Sequence, residues 1–262
     1  MSSVRFFNYW EQTALEKLGA KGLTQSMLVN RNSGGYKFDD DHYFALKHLV
    51  TERGICISDA LSVLEGLSSA QAGGIREDLL REDVIHLSNF WHIAALRILK
   101  RHGLTAEMLI MRNDGDYEFN ENHCFALRNL INNRKFSVAA ALSEIDGLNG
   151  SQAGGIQEGL CREDVIHLSN YWHISALERL RPYGLTAEML LGRNEGGHRF
   201  DVDHCYLLVD LVKDHGLSVA MALAEIDGMS SDEAFRLRNE GRMAGSQSVD
   251  AEEASNRPRM SM

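Results

Sequence analysis

Apolar residues recur along the chain at intervals of three and four, the spacing of a helix with one buried face. The clearest run consists of Val84, Leu87, Trp91, Ala95 and Ile98. It predicts one continuous helix from about Glu82 to His102. Acidic residues in its first turn and basic residues in its last suit the helix dipole, and Gly103 suits a left-handed stop.

Four shorter helices are predicted to follow. The second begins at Thr105, the third is capped by Asn120 and the fourth by Ser137. The fifth opens with a capping box, as in Ser68 with Gln71, three residues apart. Since every periodic segment has the helical spacing and only two prolines occur, the fold class is predicted to be all-α.

The same pattern returns after a fixed interval of 81 residues, which several residue types share. They are Trp10, Trp91 and Trp172, Arg31, Arg112 and Arg193, and His42, His123 and His204. Such a period predicts a tandem helical repeat, α-solenoid-like, with about three 81-residue units of roughly five short helices. The units are placed at approximately 4–74, 75–155 and 156–237, within one repeat domain of residues 1–238.

The ends of the array differ from its middle. The first unit has no counterpart of the Arg-Glu-Asp-Val segment at 81–84 and 162–165. The last shows residues 233–237 (Glu-Ala-Phe-Arg-Leu) where the others have Gln-Ala-Gly-Gly-Ile. Terminal units that present one face to water are expected to differ in this way. Residues 239–262 are polar and without period, and are predicted to be a disordered tail and a candidate secretion signal.

Charge and hydropathy narrow the classes of partner. The formal charge of −10 counts against an electrostatic hold on nucleic acid or anionic lipid. No apolar run approaches membrane length, and residues 1–5 do not resemble a signal peptide. The four cysteines have no zinc-like spacing, which favours a reducing compartment. We therefore expect a cytoplasmic protein, or one secreted into a host cytosol, that does not bind membranes.

The residue patterns do not support an enzyme, a metal site or a cofactor. His86 and His92 are six residues apart and lie on different helix faces, so they cannot share a metal. The repeated histidines at 42, 123 and 204 are predicted to be packed in cap regions. No Ser-His-Asp or Cys-His arrangement is recognisable. An enzyme would require polar groups from different units to converge in one groove.

The three tryptophans lie on the apolar stripe of the longest predicted helix, each directly after an aromatic residue, Tyr9, Phe90 or Tyr171. Packing between units is the favoured interpretation. A solvent-facing row of aromatic residues is the alternative.

An Arg-Asn loop after the second helix of each unit is the candidate binding feature. Asparagine and glycine there suit a helix stop, and the loops would also line up arginines along one edge. The predicted partner-binding residues are Arg31, Asn32, Tyr36, Lys37, Arg112, Asn113, Tyr117, Glu118, Arg193, Asn194, His198 and Arg199.

Part of each unit resembles a repeat of the TAL-effector DNA-binding family. The segments Leu185–Glu188, Asn194–Gly197 and His215–Gly216 are similar to that family's helix start, loop and closing dipeptide. The resemblance implies a base-reading role for Ser33, Asp114 and Glu195. The matching pieces are not back to back as in the family, so nucleic-acid binding is kept as the alternative function.

The tail is similar to those of type IV secreted effectors of intracellular bacteria, with an acidic cluster (Asp250, Glu252, Glu253) and a late apolar residue, Met260. Tandem helical repeats are also common to that class. The resemblance implies action on a protein of a host cell. The sequence thus predicts a non-enzymatic helical-repeat scaffold that binds another protein, whose identity and oligomeric state it leaves open.

Overall fold

The computed structural model describes residues 8–29, 37–110, 118–191, 193 and 199–240. All regular structure in these residues is helical. The chain divides into two compact units, Met1–Gly150 and Ser151–Met262. None of the described helices is long and apolar enough to cross a membrane.

The 81-residue step of the sequence groups the helices into three successive sets, called here the first, second and third copies. The first comprises α1 (Tyr9–Leu18), α2 (Gln25–Val29), α3 (Asp40–Thr51), α4 (Ile57–Leu64) and α5 (Ser69–Arg76). The second comprises α6 (Arg81–Val84), α7 (Phe90–Leu99), α8 (Ala106–Ile110), α9 (Glu121–Asn132), α10 (Val138–Ile145) and α11 (Gly150–Gln157). The third comprises α12 (Arg162–Val165), α13 (Tyr171–Leu180), α14 (Ala187–Leu190), α15 (Val202–Lys213), α16 (Val219–Ile226) and α17 (231–240). Their starts keep the 81-residue step: α1, α7 and α13 begin at Tyr9, Phe90 and Tyr171.

The predicted caps of the third, fourth and fifth helices are confirmed, whereas Thr186, which precedes α14 as Thr105 precedes α8, makes no capping bond through its side chain. Asn120 accepts hydrogen bonds from the first turn of α9, and Ser137 accepts one from the first turn of α10. Ser68 and Gln71 form the reciprocal capping box of α5. The predicted stop after α7 is also confirmed, since Gly103 is left-handed with φ 92° and follows a three-residue 3₁₀ turn.

The predicted single helix from Glu82 to His102 is wrong. It is two helices, α6 and α7, with a turn between them and a new N-cap at Asn89. A glutamine of the preceding copy stabilises the turn. The buried Gln71 amide donates to the carbonyls of Val84, Ile85 and Leu87 at 3.0, 3.1 and 3.2 Å, and so supplies partners to carbonyls that are outside a regular helix.

The third helix of each copy carries the core. In the first unit α3 packs on α1, α4 and α5, and α9 packs on α7 and α10. In the second unit α15 packs on α13 and α16. Fully buried leucines such as Leu46 and Leu127 lie at these contacts, and their removal from water supplies the main stabilisation.

Consecutive copies contact each other at a glycine of the fifth helix. A Cβ atom added to Gly74 of α5 would lie 3.0 Å from both Val84 of α6 and Ile93 of α7. At Gly155 of α11 it would lie 2.8 Å from Ile174 of α13. The glycines therefore permit an approach that a larger residue would block. Beside them, Gln71 and Gln152 hold the short helix that begins the next copy.

We expect Gln71→Glu to destabilise the protein by about 2–4 kcal/mol, because a buried carboxylate would face carbonyl oxygens that have lost their donor. Urea unfolding measures this loss. The matched control is the reverse exchange, Glu233→Gln in α17, which occupies the same place in the third copy, is exposed and should change the free energy by less than about 1 kcal/mol. Equal effects of the two exchanges would contradict the role given to Gln71.

Two histidines are buried in the core without the hydrogen bonds such groups usually make. Neither ring nitrogen of His92 has a partner in the described residues, and Nε2 of His173 has none. Burial lowers the pKa of both rings to about 4, helped by nearby His123 for His92 and by Arg193 for His173. Each ring packs instead against a phenylalanine, Phe119 or Phe200, with centroids 4.7 Å apart.

These histidines predict acid lability. The folded pKa lies below the unfolded value of 6.5, so stability is complete above pH 6.5 and is lost as the pH falls towards 4. Each ring accounts for up to roughly 3 kcal/mol of this loss. His92→Leu with His173→Leu should flatten the dependence of unfolding free energy on pH between 7 and 4. Substituting the exposed His86 and His167 is the control and should leave the pH dependence of the unfolding free energy unchanged. If the double variant of His92 and His173 kept a steep pH dependence, these two histidines would not be the cause of acid lability.

Candidate protein interaction surface

Only part of the predicted loop surface lies within the described residues. Arg31, Asn32, Tyr36, Arg112, Asn113, Tyr117, Asn194 and His198 lie outside them. Lys37, Glu118, Arg193 and Arg199 are described. The prediction that the loops bind a partner therefore stays a prediction, and the structure adds the surroundings of these four residues.

Arg193 makes contacts within its own copy. Its guanidinium donates to the carbonyls of Met189 at 2.9 Å and Leu223 at 3.0 Å, and lies 3.3 Å from a carboxylate oxygen of Asp227. The side chain is 24% exposed. These bonds tie the end of α14 to α16, so this arginine has a structural role that does not require a partner.

Lys37, Glu118 and Arg199 are exposed, and each precedes a buried phenylalanine that anchors the end of its loop. The carbonyl of Phe38 accepts a hydrogen bond from Asn8 Nδ2 at 2.6 Å. Phe119 and Phe200 accept equivalent bonds at 2.7 Å from Asn89 and Asn170, which cap α7 and α13. The loop end is therefore fixed to the start of the first long helix of each copy.

The residue after each of these asparagines is an exposed aromatic. Tyr9, Phe90 and Tyr171 are 70%, 58% and 56% exposed. Each ring meets the following tryptophan edge-on, with centroids 4.9–5.0 Å apart and planes at 79–84°. Aromatic side chains of this size are normally removed from water, so their exposure at the same place in every copy is a feature that folding alone does not require.

The tryptophans are half-buried rather than fully buried. Their ring contacts lie within a copy, on the third helix: Trp10 with Phe44, Trp91 with Phe125 and Trp172 with Tyr206, at 5.8, 6.3 and 6.2 Å. These contacts are made within a copy, whereas the sequence predicted that the indoles pack between copies; that packing stays a prediction. Each indole is a support for the exposed ring beside it.

Cations extend two of these aromatic groups. The guanidinium of Arg76 lies 4.7 Å from the ring centre of Phe44. Arg179 and Arg238 lie 5.0 and 4.5 Å from the ring centre of Tyr206. Such cation–π contacts fix the charged group against the ring and keep the surface ordered.

The repeated histidines are structural, as predicted. His42 bridges Asp39 through Nδ1 at 2.6 Å and the carbonyl of Leu67 through Nε2 at 2.8 Å. His123 and His204 make the equivalent pairs of contacts, at 2.9 and 2.7 Å and at 2.7 and 2.9 Å. All three rings are at most 5% exposed. The histidines at the starts of the third helices therefore use their ring nitrogens for contacts within the protein.

The residue that caps the third helix and the residue that faces this cap change together between copies. Burial opposes ionisation of Asp39, but hydrogen bonds from Ser69 and His42 hold the pKa of its carboxyl below the ordinary value. Asp201 and Ser231 repeat this pair in the third copy. The second copy has Asn120 and Gly150 instead, and a Cβ at Gly150 would lie 2.4 Å from the Asn120 amide nitrogen.

No group of three His, Cys, Asp or Glu side chains in the described part of the chain is placed to hold a metal ion. What the geometry provides is an exposed aromatic ring, its supporting indole and a charged loop-end residue, side by side in each copy. The sequence contained the signal, Asn followed by an aromatic and Trp, but its amphipathic spacing placed the tryptophan in the core.

Comparison of the chain with protein-family models, with curated proteins and with solved structures finds no match.

Proposed function

We propose that this chain is a tandem α-helical repeat protein that binds another protein and performs no chemistry itself. Each copy contributes its own proposed contact point, an exposed aromatic ring with its supporting indole and adjacent charged residue, and the three contact points are together called here the aromatic edge. It comprises Tyr9, Trp10 and Lys37, Phe90, Trp91 and Glu118, and Tyr171, Trp172 and Arg199. The Arg-Asn loops, which lead into Lys37, Glu118 and Arg199, belong to the same proposed surface.

The observation that carries the proposal is the exposure of an aromatic ring at one position in all three copies. Large aromatic side chains are enriched at the centres of protein interfaces, because they bury much area at little cost in side-chain entropy. Each ring is held against an indole, so binding would order little that is not already ordered.

The charged neighbours differ between copies in a way that suits recognition of a protein. Lys37 and Arg199 are basic and Glu118 is acidic, so the edge has no single sign of charge. Charges around an apolar centre select a partner and steer its approach more than they add affinity. A nucleic-acid ligand would require a continuous basic surface, whereas the whole chain has a charge of −10.

The action on a host-cell protein implied by the resemblance to type IV effectors remains part of this proposal. It concerns where the partner is found and does not alter the surface. A TAL-like function would instead place nucleic acid on the loops, and the two are separated by the dependence of binding on salt.

We expect the triple variant Tyr9→Ser, Phe90→Ser and Tyr171→Ser to lose its partners. In quantitative pull-downs from a host-cell lysate, proteins retained by the unaltered chain should fall at least tenfold, because each lost ring removes interface area that no other group replaces. The thermal midpoint should stay nearly unchanged, since the three rings are exposed.

The matched control replaces exposed apolar residues outside the aromatic edge, Met221→Ser with Tyr183→Ser, which are 60% and 53% exposed. It should retain the same proteins. Unchanged partners in the aromatic triple variant would overturn the proposed surface. Retention of nucleic acid that weakens steeply as salt rises would favour the TAL-like alternative.

A further inference from the structure

Among the described residues, none covers the fifth helix of the third copy, α17, in the way that its counterparts are covered. In the first copy α6 and α7 pack on α5, and Ile75 is 1% exposed. In the second copy Ile156 of α11 is fully buried. The equivalent residue of α17 is Leu237, which is 42% exposed, and its neighbour Phe235 is 51% exposed.

Two substitutions prevent α17 from receiving another copy in the same manner. Arg236 stands where α5 and α11 have Gly74 and Gly155, at which even a Cβ atom comes within 2.8–3.0 Å of the next copy. Glu233 stands where Gln71 and Gln152 donate to carbonyls of the next copy. A carboxylate cannot make those bonds.

A second chain is not suited to this face either. At the inner junctions Ile93 and Ile174 are 4% and 1% exposed. The first copy has Gln12 at that position, on an exposed part of α1. At this position the described part of α1 therefore offers a polar side chain, where a head-to-tail association on α17 in the same manner would need an apolar one.

The uncovered face contains two clefts that share Leu237 and Glu240. The larger, of about 760 Å³, has Leu207, Leu211 and Leu217 along its walls. The smaller, of about 420 Å³, runs past Met229 on the other side. A ridge of leucine between two clefts is a shape that takes the apolar face of a helical peptide.

The rim of this face is acidic. Asp214, Glu225 and Glu240 line the larger cleft as exposed carboxylates, and Asp227 and Glu233 line the smaller one. The basic Arg238 in the larger cleft lies 3.8 Å from Asp203 and 3.5 Å from Asp210, so acidic neighbours offset its charge. The larger cleft thus combines apolar walls with a surplus of negative charge. The smaller cleft is more polar and contains Arg236 beside its three carboxylates, of which Asp227 is paired with Arg193.

We propose that this terminal face, formed by α17 with α15 and α16, is a docking site for a cationic amphipathic helix of a partner protein. Apolar residues of the helix would fill the clefts on both sides of Leu237, and its lysines or arginines would face Asp214, Glu225 and Glu240. The site uses none of the aromatic edge residues, so it is a second contact point that stands or falls separately from the proposed function.

The test uses the full chain and three fluorescent helical peptides: one of leucine and lysine, one with the same lysines and serine for leucine, and one of leucine and glutamate. Fluorescence anisotropy should show micromolar binding of the leucine–lysine peptide, which weakens as salt rises, and at least tenfold weaker binding of the other two. Equal binding of the serine–lysine peptide would reduce the effect to nonspecific charge attraction and overturn the proposal.

Variants locate the site. Leu237→Lys should weaken binding of the leucine–lysine peptide at least tenfold, and Glu225→Gln with Glu240→Gln at least threefold. Met221→Lys, a change at a more exposed residue of α16 that lines neither cleft, should weaken it less than twofold. Circular dichroism measures whether the variants fold. If Leu237→Lys does not fold, the double exchange of Glu225 and Glu240 to glutamine still tests the site.

The aromatic triple variant should bind the peptide normally, which separates failure of this site from failure of the aromatic edge. Sedimentation velocity tests the remaining possible occupant of this face, a second copy of the chain. A dimer of the unaltered chain that Leu237→Lys dissociates would assign the face to a second copy and overturn the cationic partner. Undiminished peptide binding by Leu237→Lys would also overturn it.

Discussion

The structure depends on the contact between one copy and the next. At this contact a glycine lies near a glutamine whose side-chain amide donates hydrogen bonds to backbone carbonyls of the next copy. Gly74 lets α6 and α7 approach α5, and Gln71 satisfies the turn between α6 and α7. Because that turn ends α6, a new helix starts after Asn89, whose side chain holds the loop end at Phe119. The junction thus determines where the exposed ring of Phe90 is placed.

Much of the fold could be predicted from local sequence. Caps at Asn120 and Ser137 and the stop at Gly103 depend on neighbouring residues, so their chemistry is readable without the tertiary structure. The break between α6 and α7 could not be predicted, because apolar spacing continues through it. The turn there is stabilised by a glutamine in another helix, more than ten residues earlier in the chain, and periodicity carries no information about such a donor.

The candidate surface was only partly predictable. The structural histidines follow from their acidic or amide caps, and the loop ends at Lys37, Glu118 and Arg199 are exposed as expected. The half-burial of Trp10, Trp91 and Trp172 was missed, because an amphipathic stripe does not show how far each position lies from the core. Residues 233–237 were recognised as atypical. Their sequence does not show whether this end simply faces water or contains apolar clefts, and only the exposure of Leu237, compared with its buried counterparts, distinguishes the two.

The exchange at the third-helix caps has a consequence for the history of the chain. Asp39 with Ser69, and Asp201 with Ser231, are matched pairs, whereas Asn120 is matched with Gly150. Unequal crossing-over between such similar segments could unite Asn120 with a serine, and the hydroxyl-bearing carbon would then collide with the amide. Asn120 and Gly150 therefore form a complementary pair, and only an exchange that replaces both residues together avoids the collision.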